Sequence, residues 1–267
     1  MSLAERLQDS MRHAARARYE SVNIPPFTAY FHPSDALVYL NYAIPDGPVS
    51  GDASESLRQL RTAFEQRARV PRFEYVDSLA PQLADVLRGA GYAVEAEARL
   101  MVCTPDSYTP LSCPSELTIS ALTSDAPLEE IRTFCSTTQE GFTPGAPVQV
   151  SDAEVTKTLA DLKDGRALLA KWNGVPVAGG LVTPPYQGTS ELAGVATLQA
   201  WRGRGIGAAL VSRAAQEAFA HGVDVLFLST VTEEAGRLYE RAGFRFLTRM
   251  LFMVDAAAAQ SSGKVSP

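Results

Sequence analysis

The feature that most constrains the fold is the stretch Thr197–Leu210, TLQAWRGRGIGAAL, in which three glycines follow an apolar run. The segment ELAGVATLQA before the glycines is a predicted strand, and AALVSRAAQEAFAHG after them has the spacing of an amphipathic helix. A strand, a glycine-rich turn and a helix start bring unpaired N–H groups and the positive end of a helix dipole together. Because glycine also lets a ligand approach the backbone closely, the stretch predicts a phosphate or pyrophosphate site.

Charge and composition restrict the partners of this site. The 267 residues carry a net charge of −6, so a general attraction to nucleic acid or to an anionic membrane is not expected. The three cysteines show no C-x-x-C spacing, and the three histidines are not spaced for a metal site. No transit or signal peptide fits the N-terminal segment. We therefore expect a cytoplasmic protein with no metal, no nucleic-acid partner and no membrane partner.

Strands and helices are mixed throughout the second half. LTISAL is a predicted strand, PLEEIRTFCSTTQEGF and SDAEVTKTLADLKDG are predicted helices, and Asn173–Gly174 is a predicted turn between the strands RALLAKW and VPVAGGLVTP. The glycine loop and its helix are followed by a buried strand, VDVLFLST, a short helix, EEAGRLYERAG, and a last strand, FRFLTRMLFMV. This order is typical of an α/β or α+β domain.

Two common phosphate-binding loops do not fit the sequence. The P-loop string G-x-x-x-x-G-K-[ST] does not occur. The dinucleotide fingerprint G-x-G-x-x-[GA] is matched by Gly203, Gly205 and Ala208, but Asp224 precedes the next strand, whereas the fingerprint needs an acid at that strand's end. About 60 residues follow the loop, which is too few for a doubly wound sheet.

A third kind of loop agrees with both the motif and its surroundings. RGRGIG at Arg202–Gly207 matches [QR]-x-x-G-x-[GA], and LYERAGF at Leu238–Phe244 resembles L-Y-x-x-x-G-F. With these motifs, the chain resembles the GNAT superfamily of acyl-CoA-dependent N-acetyltransferases over about Leu117–Val254. The resemblance implies a GNAT fold, with a mixed, mostly antiparallel sheet flanked by helices, and acetyl-CoA as the co-substrate.

The resemblance also implies roles for individual residues. It assigns coenzyme A to the loop, with the backbone amides of residues 204–208 on the pyrophosphate; the loop residues are Arg202, Gly203, Arg204, Gly205, Ile206, Gly207 and Ala208. It assigns the pantetheine arm to the strand before the loop, at Val195, Ala196, Thr197 and Leu198. Tyr239 matches the tyrosine near the coenzyme sulfur, and Glu191 stands where some members carry a catalytic glutamate.

Two positions depart from the family pattern. The usual proline three residues before the arginine is Gln199, and the usual asparagine seven residues before the tyrosine is Thr232. The second departure puts one hydrogen bond to the cofactor in doubt, and threonine is expected to replace it.

The first half contains an echo of the second. The segment VPRFEYVDSLAPQLADVLRGAGYAVEAEARLMVCTP has the order strand, helix, Ala-Gly-aromatic, strand, and aligning Gly91 with Gly243 sets an offset of 152 residues. SLRQLRTAFEQRA and ALVYLNYAIP match the preceding helix and strand. The counterpart of the glycine loop, residues 46–55, has three acidic residues and no arginine. We predict that this half does not bind coenzyme A.

The predicted organisation is therefore a tandem one. Residues 1–104 are expected to form a partial GNAT-like domain, 105–116 a linker, 117–255 the catalytic domain and 256–267 a loose tail. The protein is expected to be a monomer, as an intramolecular pseudo-dimer, or a homodimer. The predicted reaction is acetyl transfer from acetyl-CoA to a small-molecule or protein amine. A non-catalytic acyl-CoA sensor and a tandem GNAT-like aminoacyl transferase are the alternatives.

Overall fold

A computed structural model describes residues 1–49 and 51–261. Its helices are α1 (Leu3–Arg18), α2 (Ser54–Glu65), α3 (Leu83–Gly89), α4 (Leu128–Phe142), α5 (Asp152–Leu162), α6 (Ile206–Ala220), α7 (Glu233–Arg241) and α8 (Ala256–Ser261). Its strands are β1 (Glu20–Ile24), β2 (Phe27–Phe31), β3 (Tyr42–Pro45), β4 (Arg72–Val76), β5 (Tyr92–Cys103), β6 (Leu117–Leu122), β7 (Arg166–Trp172), β8 (Val175–Val182), β9 (Thr189–Thr197), β10 (Val225–Thr230) and β11 (Arg245–Asp255). None of these helices is long and apolar enough to cross a membrane.

The chain divides into two compact units. The first unit is Met1–Leu100 together with the C-terminal segment from Leu247, and the second unit is Met101–Phe246. These divisions fall at residues 100/101 and 246/247. The domain boundaries expected from the sequence, at 104/105 and 116/117, stay predictions.

The second unit is built on five strands in the order β10-β9-β8-β7-β6. The pair β10/β9 is parallel and the others are antiparallel, so the predicted mixed, mostly antiparallel sheet is confirmed. Two adjacent glycines of β8 show how helices cover both faces. A Cβ on Gly179 would lie 2.6 Å from Thr138 of α4, and a Cβ on Gly180 would lie 2.9 Å from Leu210 of α6. Since successive strand residues point to opposite faces, α4 and α6 lie on opposite sides of the sheet.

In the first unit, the strands β1-β2-β3-β4-β11 are consecutive neighbours in the sheet. Only β3 and β4 are parallel within this order. Its core contains the fully buried Phe27, Phe64 and Phe73, and β11 adds Leu251 and Met253 from the end of the chain. The first 100 residues alone therefore do not complete this core.

Helix α1 bridges the parallel pair of the first unit. The register of β3 and β4 contains the single pair Ala43–Phe73. Beyond it, the N–H of Val76 in β4 donates to Oε1 of Gln8 at 2.9 Å. One turn along α1, the guanidinium of Arg12 donates to the carbonyl of Pro45 in β3. Side chains of α1 thus supply hydrogen bonds that the separated strands do not give each other.

The predicted repeat is present in the order of elements. With the offset of 152 residues, α2 falls on α6, β4 on β10, α3 on α7 and β5 on β11. The last turn of each short helix leads into a glycine with positive φ, 88° at Gly91 and 99° at Gly243. One predicted strand is shorter than expected, because Val38–Leu40 form a 3-10 turn before β3 begins at Tyr42.

The predicted loose tail is partly wrong. Residues Ala256–Ser261 form α8, which begins where the carboxylate of Asp255 accepts the N–H of Ala258 at 3.1 Å. Ala259 is buried with Val38 and Val70 in a small apolar cluster. A short alanine run has no strong sequence pattern, so this docking was not visible in the sequence. Residues 262–267 of the expected tail lie outside the described residues.

The segment expected as a linker, 105–116, is attached to the second unit by specific hydrogen bonds. The hydroxyl of Tyr108 is 3.0 Å from the carbonyl of Ser212 in α6, and the N–H of Leu111 donates to Oγ of Ser212 at 2.9 Å. The N–H of Thr109 donates to the carbonyl of Ala242 at 3.1 Å. This segment therefore packs along α6 and the end of α7.

The same contact explains the glycine that ends α7. A Cβ on Gly243 would lie 2.0 Å from the carbonyl oxygen of Ser107, and the φ of Gly243 is 99°. We expect Gly243→Ala to lower the free energy of unfolding by about 3 kcal/mol or more, since backbone has to move. Gly222→Ala is the matched control, because its φ is 78° but no atom lies within 4 Å of its Cβ position.

Urea unfolding of both variants, followed by circular dichroism, measures the difference. The control is expected to lose about 1–2 kcal/mol, the ordinary cost of an L-residue in this conformation. Equal losses in the two variants would show that the Ser107 contact contributes nothing.

Candidate functional site

The glycine loop follows β9 directly. After Thr197, one 3-10 turn, Gln199–Trp201, leads into the loop. Gly203 and Gly205 have φ values of 78° and 79°, while Arg204 between them has no positive φ. Alternation of left- and right-handed residues turns successive N–H groups toward one point, which is an anion-binding arrangement. The residues from Arg202 to Gly205 are exposed, so a ligand can reach this point.

The N-terminus of α6 adds to the same point. Gly205 is the N-cap and offers no side chain to cap the helix. The N–H of Ala209 is the first that bonds within the helix, to the carbonyl of Gly205 at 3.0 Å. The N–H groups of Ile206, Gly207 and Ala208 lie in the first turn, where a helix supplies no partner. With the helix dipole, they favour an anion here.

Arg202 is held by backbone carbonyls. Its Nε donates to the carbonyl of Thr197 at 3.1 Å, and its Nη2 donates to the carbonyl of Gly141, near the end of α4, at 3.1 Å. The predicted cofactor contact of Arg202 stays a prediction, and these two bonds use two of the five N–H donors of its guanidinium. The contact with Gly141 was missed in the sequence, which shows only a glycine near a helix end.

Arg204 lies instead on an aromatic surface. Its Cζ is 4.8 Å from the centre of the Trp201 ring, a cation–π distance. Trp201 in turn lies 6.0 Å from Trp172, centre to centre, and both rings pack against the core of the second unit. The stack holds a positive charge beside the two positive-φ glycines. Neither tryptophan was predicted from the sequence to be part of the site.

The strand before the loop parts from its parallel neighbour. Residues 189–191 of β9 pair with 225–227 of β10, and the register ends there although β9 continues to Thr197. On its other edge, β9 stays paired with β8 across a bulge near Gly194, whose φ is 61°. The N–H of Leu198 donates to the carbonyl of Val177 in β8 at 2.9 Å. Because the backbone groups of successive strand residues point to alternate edges, the N–H and carbonyl groups of Val195 and Thr197 point to the edge away from β8.

This edge is the place where an extended ligand could pair with β9. The Thr197 carbonyl accepts the Arg202 bond at 3.1 Å, so the groups left for a ligand are the Thr197 N–H and the Val195 backbone. Ala196 faces α4, because a Cβ added to Gly141 of that helix would lie 2.8 Å from the Cβ of Ala196. Of the four strand residues expected to hold the pantetheine arm, Val195 and Thr197 therefore turn backbone groups to this edge, whereas Leu198 donates to β8.

Tyr239 lies on α7, the helix that follows β10. Its side chain is 9% exposed and packs against Phe244, with ring centres 5.8 Å apart. Burial raises the pKa of the Tyr239 phenol, so the hydroxyl keeps its proton at neutral pH and can donate it. The sequence resemblance predicted this position on a short helix, and the structure places it there.

Thr232 and Glu191, which were also predicted as site residues, form hydrogen bonds within the fold. Thr232 is the N-cap of α7, and its hydroxyl accepts the N–H of Ala235 at 3.3 Å. Threonine is a good N-cap, which accounts for its place here without a ligand. Glu191 is half-buried in the paired part of β9, opposite Phe227, and its N–H donates to the hydroxyl of Thr183 at 2.8 Å.

No group of His, Cys, Asp and Glu side chains among residues 1–49 and 51–261 is arranged to hold a metal ion.

Comparison with known proteins agrees with this geometry. Residues 132–244 match the model of the GNAT acetyltransferase family. A GCN5-related N-acetyltransferase from Kribbella flavida is 25% identical, with a TM-score of 0.80 over 98% of this chain and 99% of that chain. No curated protein matches the sequence.

Two further solved structures share the fold. A GCN5-related N-acetyltransferase from Sphaerobacter thermophilus is 20% identical, with a TM-score of 0.65 over 86% of this chain and 76% of that chain. A tandem GNAT protein from the clavulanic acid biosynthesis pathway is 16% identical, with a TM-score of 0.62 over 85% of this chain and 77% of that chain. The predicted GNAT fold is therefore confirmed, and a tandem GNAT protein is among the structures that share it.

Gly207 gives a direct test of the anion site. A Cβ there would lie 3.5 Å from Leu238 and 3.8 Å from Thr197, which are ordinary contacts, so a Cβ fits without moving the backbone. We expect Gly207→Glu to lower the affinity for coenzyme A more than tenfold, about 1.4 kcal/mol, because its carboxylate repels the pyrophosphate. Titration calorimetry measures the affinity.

Gly207→Gln is the control, since it has the same shape without the charge. It is expected to bind coenzyme A more tightly than Gly207→Glu, with a difference that shrinks as salt is added. Equal affinities of the Glu and Gln variants would place the phosphates elsewhere.

Proposed function

Because residues 132–244 match the model of the GNAT acetyltransferase family, we propose that this protein transfers an acetyl group from acetyl-CoA to an amine. The observation that carries the proposal is the exposed glycine loop at the start of α6, next to the point where β9 parts from β10. The loop supplies donors for phosphate, and the free strand edge supplies partners for an extended amide-containing arm. We place the reaction in the cytoplasm, in line with three cysteines that are all free thiols.

The cofactor residues follow from these two features. Backbone N–H groups of residues 204–208 hold the pyrophosphate, and the side chain of Arg204 adds a positive charge. The pantetheine arm pairs with the edge formed by Val195 and Thr197. Thr232 contributes to the cofactor site indirectly, by capping the N-terminus of α7, because its hydroxyl already accepts the N–H of Ala235.

The chemistry needs one bond made, one bond broken and one proton moved. A neutral amine attacks the thioester carbonyl, the carbon–sulfur bond breaks, and the amine loses a proton as the thiolate gains one. Tyr239 donates its own proton to the sulfur, because burial raises the pKa of its phenol and the donor form persists at neutral pH. Tyr239 then regains a proton from the solvent, and the proton taken from the amine is released to the solvent, so no net proton is gained or lost by the protein. Glu191 is the candidate for accepting the amine proton, from a half-buried position on β9.

A thiol-release assay over a panel of small amines and lysine-containing peptides tests the proposal. Acetyl-CoA and the protein are mixed with each amine, and free coenzyme A is measured with a thiol reagent. Amine-dependent release above the rate without amine supports the enzyme. Tight binding of acetyl-CoA with no release on any amine would favour the sensor.

In the first unit, the N-terminus of α2 and the gap between β3 and β4 already have hydrogen-bond partners within the chain. The N-terminus of α2 is met by a carboxylate, since the N–H of Ser54 donates to Asp52 at 2.9 Å. Hydrogen bonds from Ser54 lower the pKa of Asp52, which keeps it negative. The strands that separate there are bridged by Gln8 and Arg12 of α1. An anionic cofactor thus meets a negative charge and a filled strand edge.

We therefore expect one coenzyme A per chain. Titration calorimetry on the intact chain should give a stoichiometry near one, and Gly207→Glu should weaken that single event. A stoichiometry near two, or a second event that survives in Gly207→Glu, would contradict the assignment of the first unit as non-binding.

Tyr239→Phe separates the hydroxyl from the ring. Phenylalanine fills the same space beside Phe244, so the affinity for coenzyme A is expected to stay within about twofold. Loss of the proton donor is expected to lower kcat by about 10–100-fold, at the low end for general acids because a thiolate leaves fairly well. Steady-state kinetics on the best amine of the panel measure both effects.

The pH dependence gives a second reading of the same variant. Because burial raises the Tyr239 pKa, the phenol stays neutral and able to donate over the tested range, and the ratio of wild-type to variant kcat should be constant from about pH 6 to 9. A variant with full kcat, or a ratio that falls within this range, would remove Tyr239 from the mechanism.

A further inference from the structure

The two arginines of the glycine loop are held in different ways. Arg204 stacks on Trp201 beside the start of α6, with its Cζ 4.8 Å from the ring centre. Arg202 points to two carbonyls, those of Thr197 and Gly141, at 3.1 Å each. A guanidinium bonded to two carbonyls in this way is held in position and has fewer donors left for a phosphate.

The carbonyls that Arg202 joins belong to two different elements. Thr197 ends β9, and Gly141 lies in the last turn of α4. The helix approaches the strand closely here, because a Cβ on Gly141 would lie 2.8 Å from that of Ala196. Arg202 therefore fastens the end of α4 to the strand residue whose edge faces the cofactor in the proposed function.

Helix α4 ends just after this point. Phe142, the residue after Gly141, is 60% exposed, and residues 143–149 are exposed as well. The N–H of Thr143 still bonds to the carbonyl of Gln139 at 3.0 Å, so the α4 end is ordered up to this residue. The direction in which the segment 143–149 departs is set by the last turn of α4, and hence by Arg202.

We propose that Arg202 is a positioning residue for the amine acceptor and not a ligand of coenzyme A. It holds the end of α4, and with it Phe142, beside the part of β9 where the thioester lies. This inference rests on the proposed function for the location of the thioester. It predicts that the two arginines of one loop affect different substrates.

Kinetics and titration on matched variants test the division. Arg202→Gln is expected to raise KM for the amine about tenfold and to change the Kd for coenzyme A by no more than about twofold, as for loss of a charged hydrogen bond. Arg202→Lys is expected to recover part of the lost KM, because its ammonium can reach a carbonyl. Arg204→Gln is expected to do the reverse, weakening coenzyme A about tenfold with a salt-dependent loss and leaving KM for the amine unchanged.

Arg58→Gln is the neutral control. Arg58 is exposed on α2, the counterpart of α6 in the first unit, and pairs with Glu55. The change removes the same charge from the chain and is expected to leave both constants unaltered.

Hydrogen exchange supplies a readout that needs no amine. The Thr143 amide should exchange about tenfold faster in Arg202→Gln than in the wild type, because the end of α4 loses its fastening. It should be unchanged in Arg204→Gln. An unchanged Thr143 rate in Arg202→Gln would overturn the inference, whatever the panel yields.

The outcomes separate this inference from the proposed function. A wild-type chain that fails to bind coenzyme A would overturn both. Normal binding, with Arg202→Gln weakening coenzyme A as much as Arg204→Gln does, would overturn the positioning role alone.

Discussion

Parallel strands that separate leave backbone groups in need of partners, and both units of this chain contain such a pair. A buried or half-buried N–H or carbonyl without a partner costs free energy, so something has to meet it. In the first unit the pair is β3 and β4, and α1 meets it with Gln8 and Arg12. In the second unit the pair is β9 and β10, and the Arg202 guanidinium meets the Thr197 carbonyl. What remains at that edge defines where an extended ligand can bind.

Close packing around this edge depends on positions where a side chain would not fit. Gly179 and Gly180 let α4 and α6 approach β8 from opposite faces, and Gly141 lets α4 reach β9. These approaches bring a helix N-terminus, a helix C-terminus and a strand end together. The anion site, and the hydrogen bonds of Arg202 to Thr197 and Gly141, therefore both depend on the same packing arrangement.

Local patterns were enough to predict the elements that carry the motif. The strand, glycine loop and helix from Thr189 to Ala220 are set by periodicity and by residues that need positive φ, and the same holds for α7. Tyr239 on that helix was singled out by the family resemblance. Contacts between distant parts of the chain were not predictable. Arg202 bonds to a carbonyl 61 residues away, and Gln8 accepts from an amide 68 residues away. The sequences around Arg202 and Gln8 contain no local pattern that predicts either bond.

Helix α1 has a consequence that follows from its covalent attachment. Its two bonds to the separated strands form within the chain, so its effective concentration at β3 and β4 is set by the tether and is on the order of millimolar or higher. A free molecule that pairs with the same groups has to exceed that concentration, corrected for affinity, before it displaces the helix. The first unit thus behaves as a complex whose ligand belongs to the same chain and cannot be diluted away.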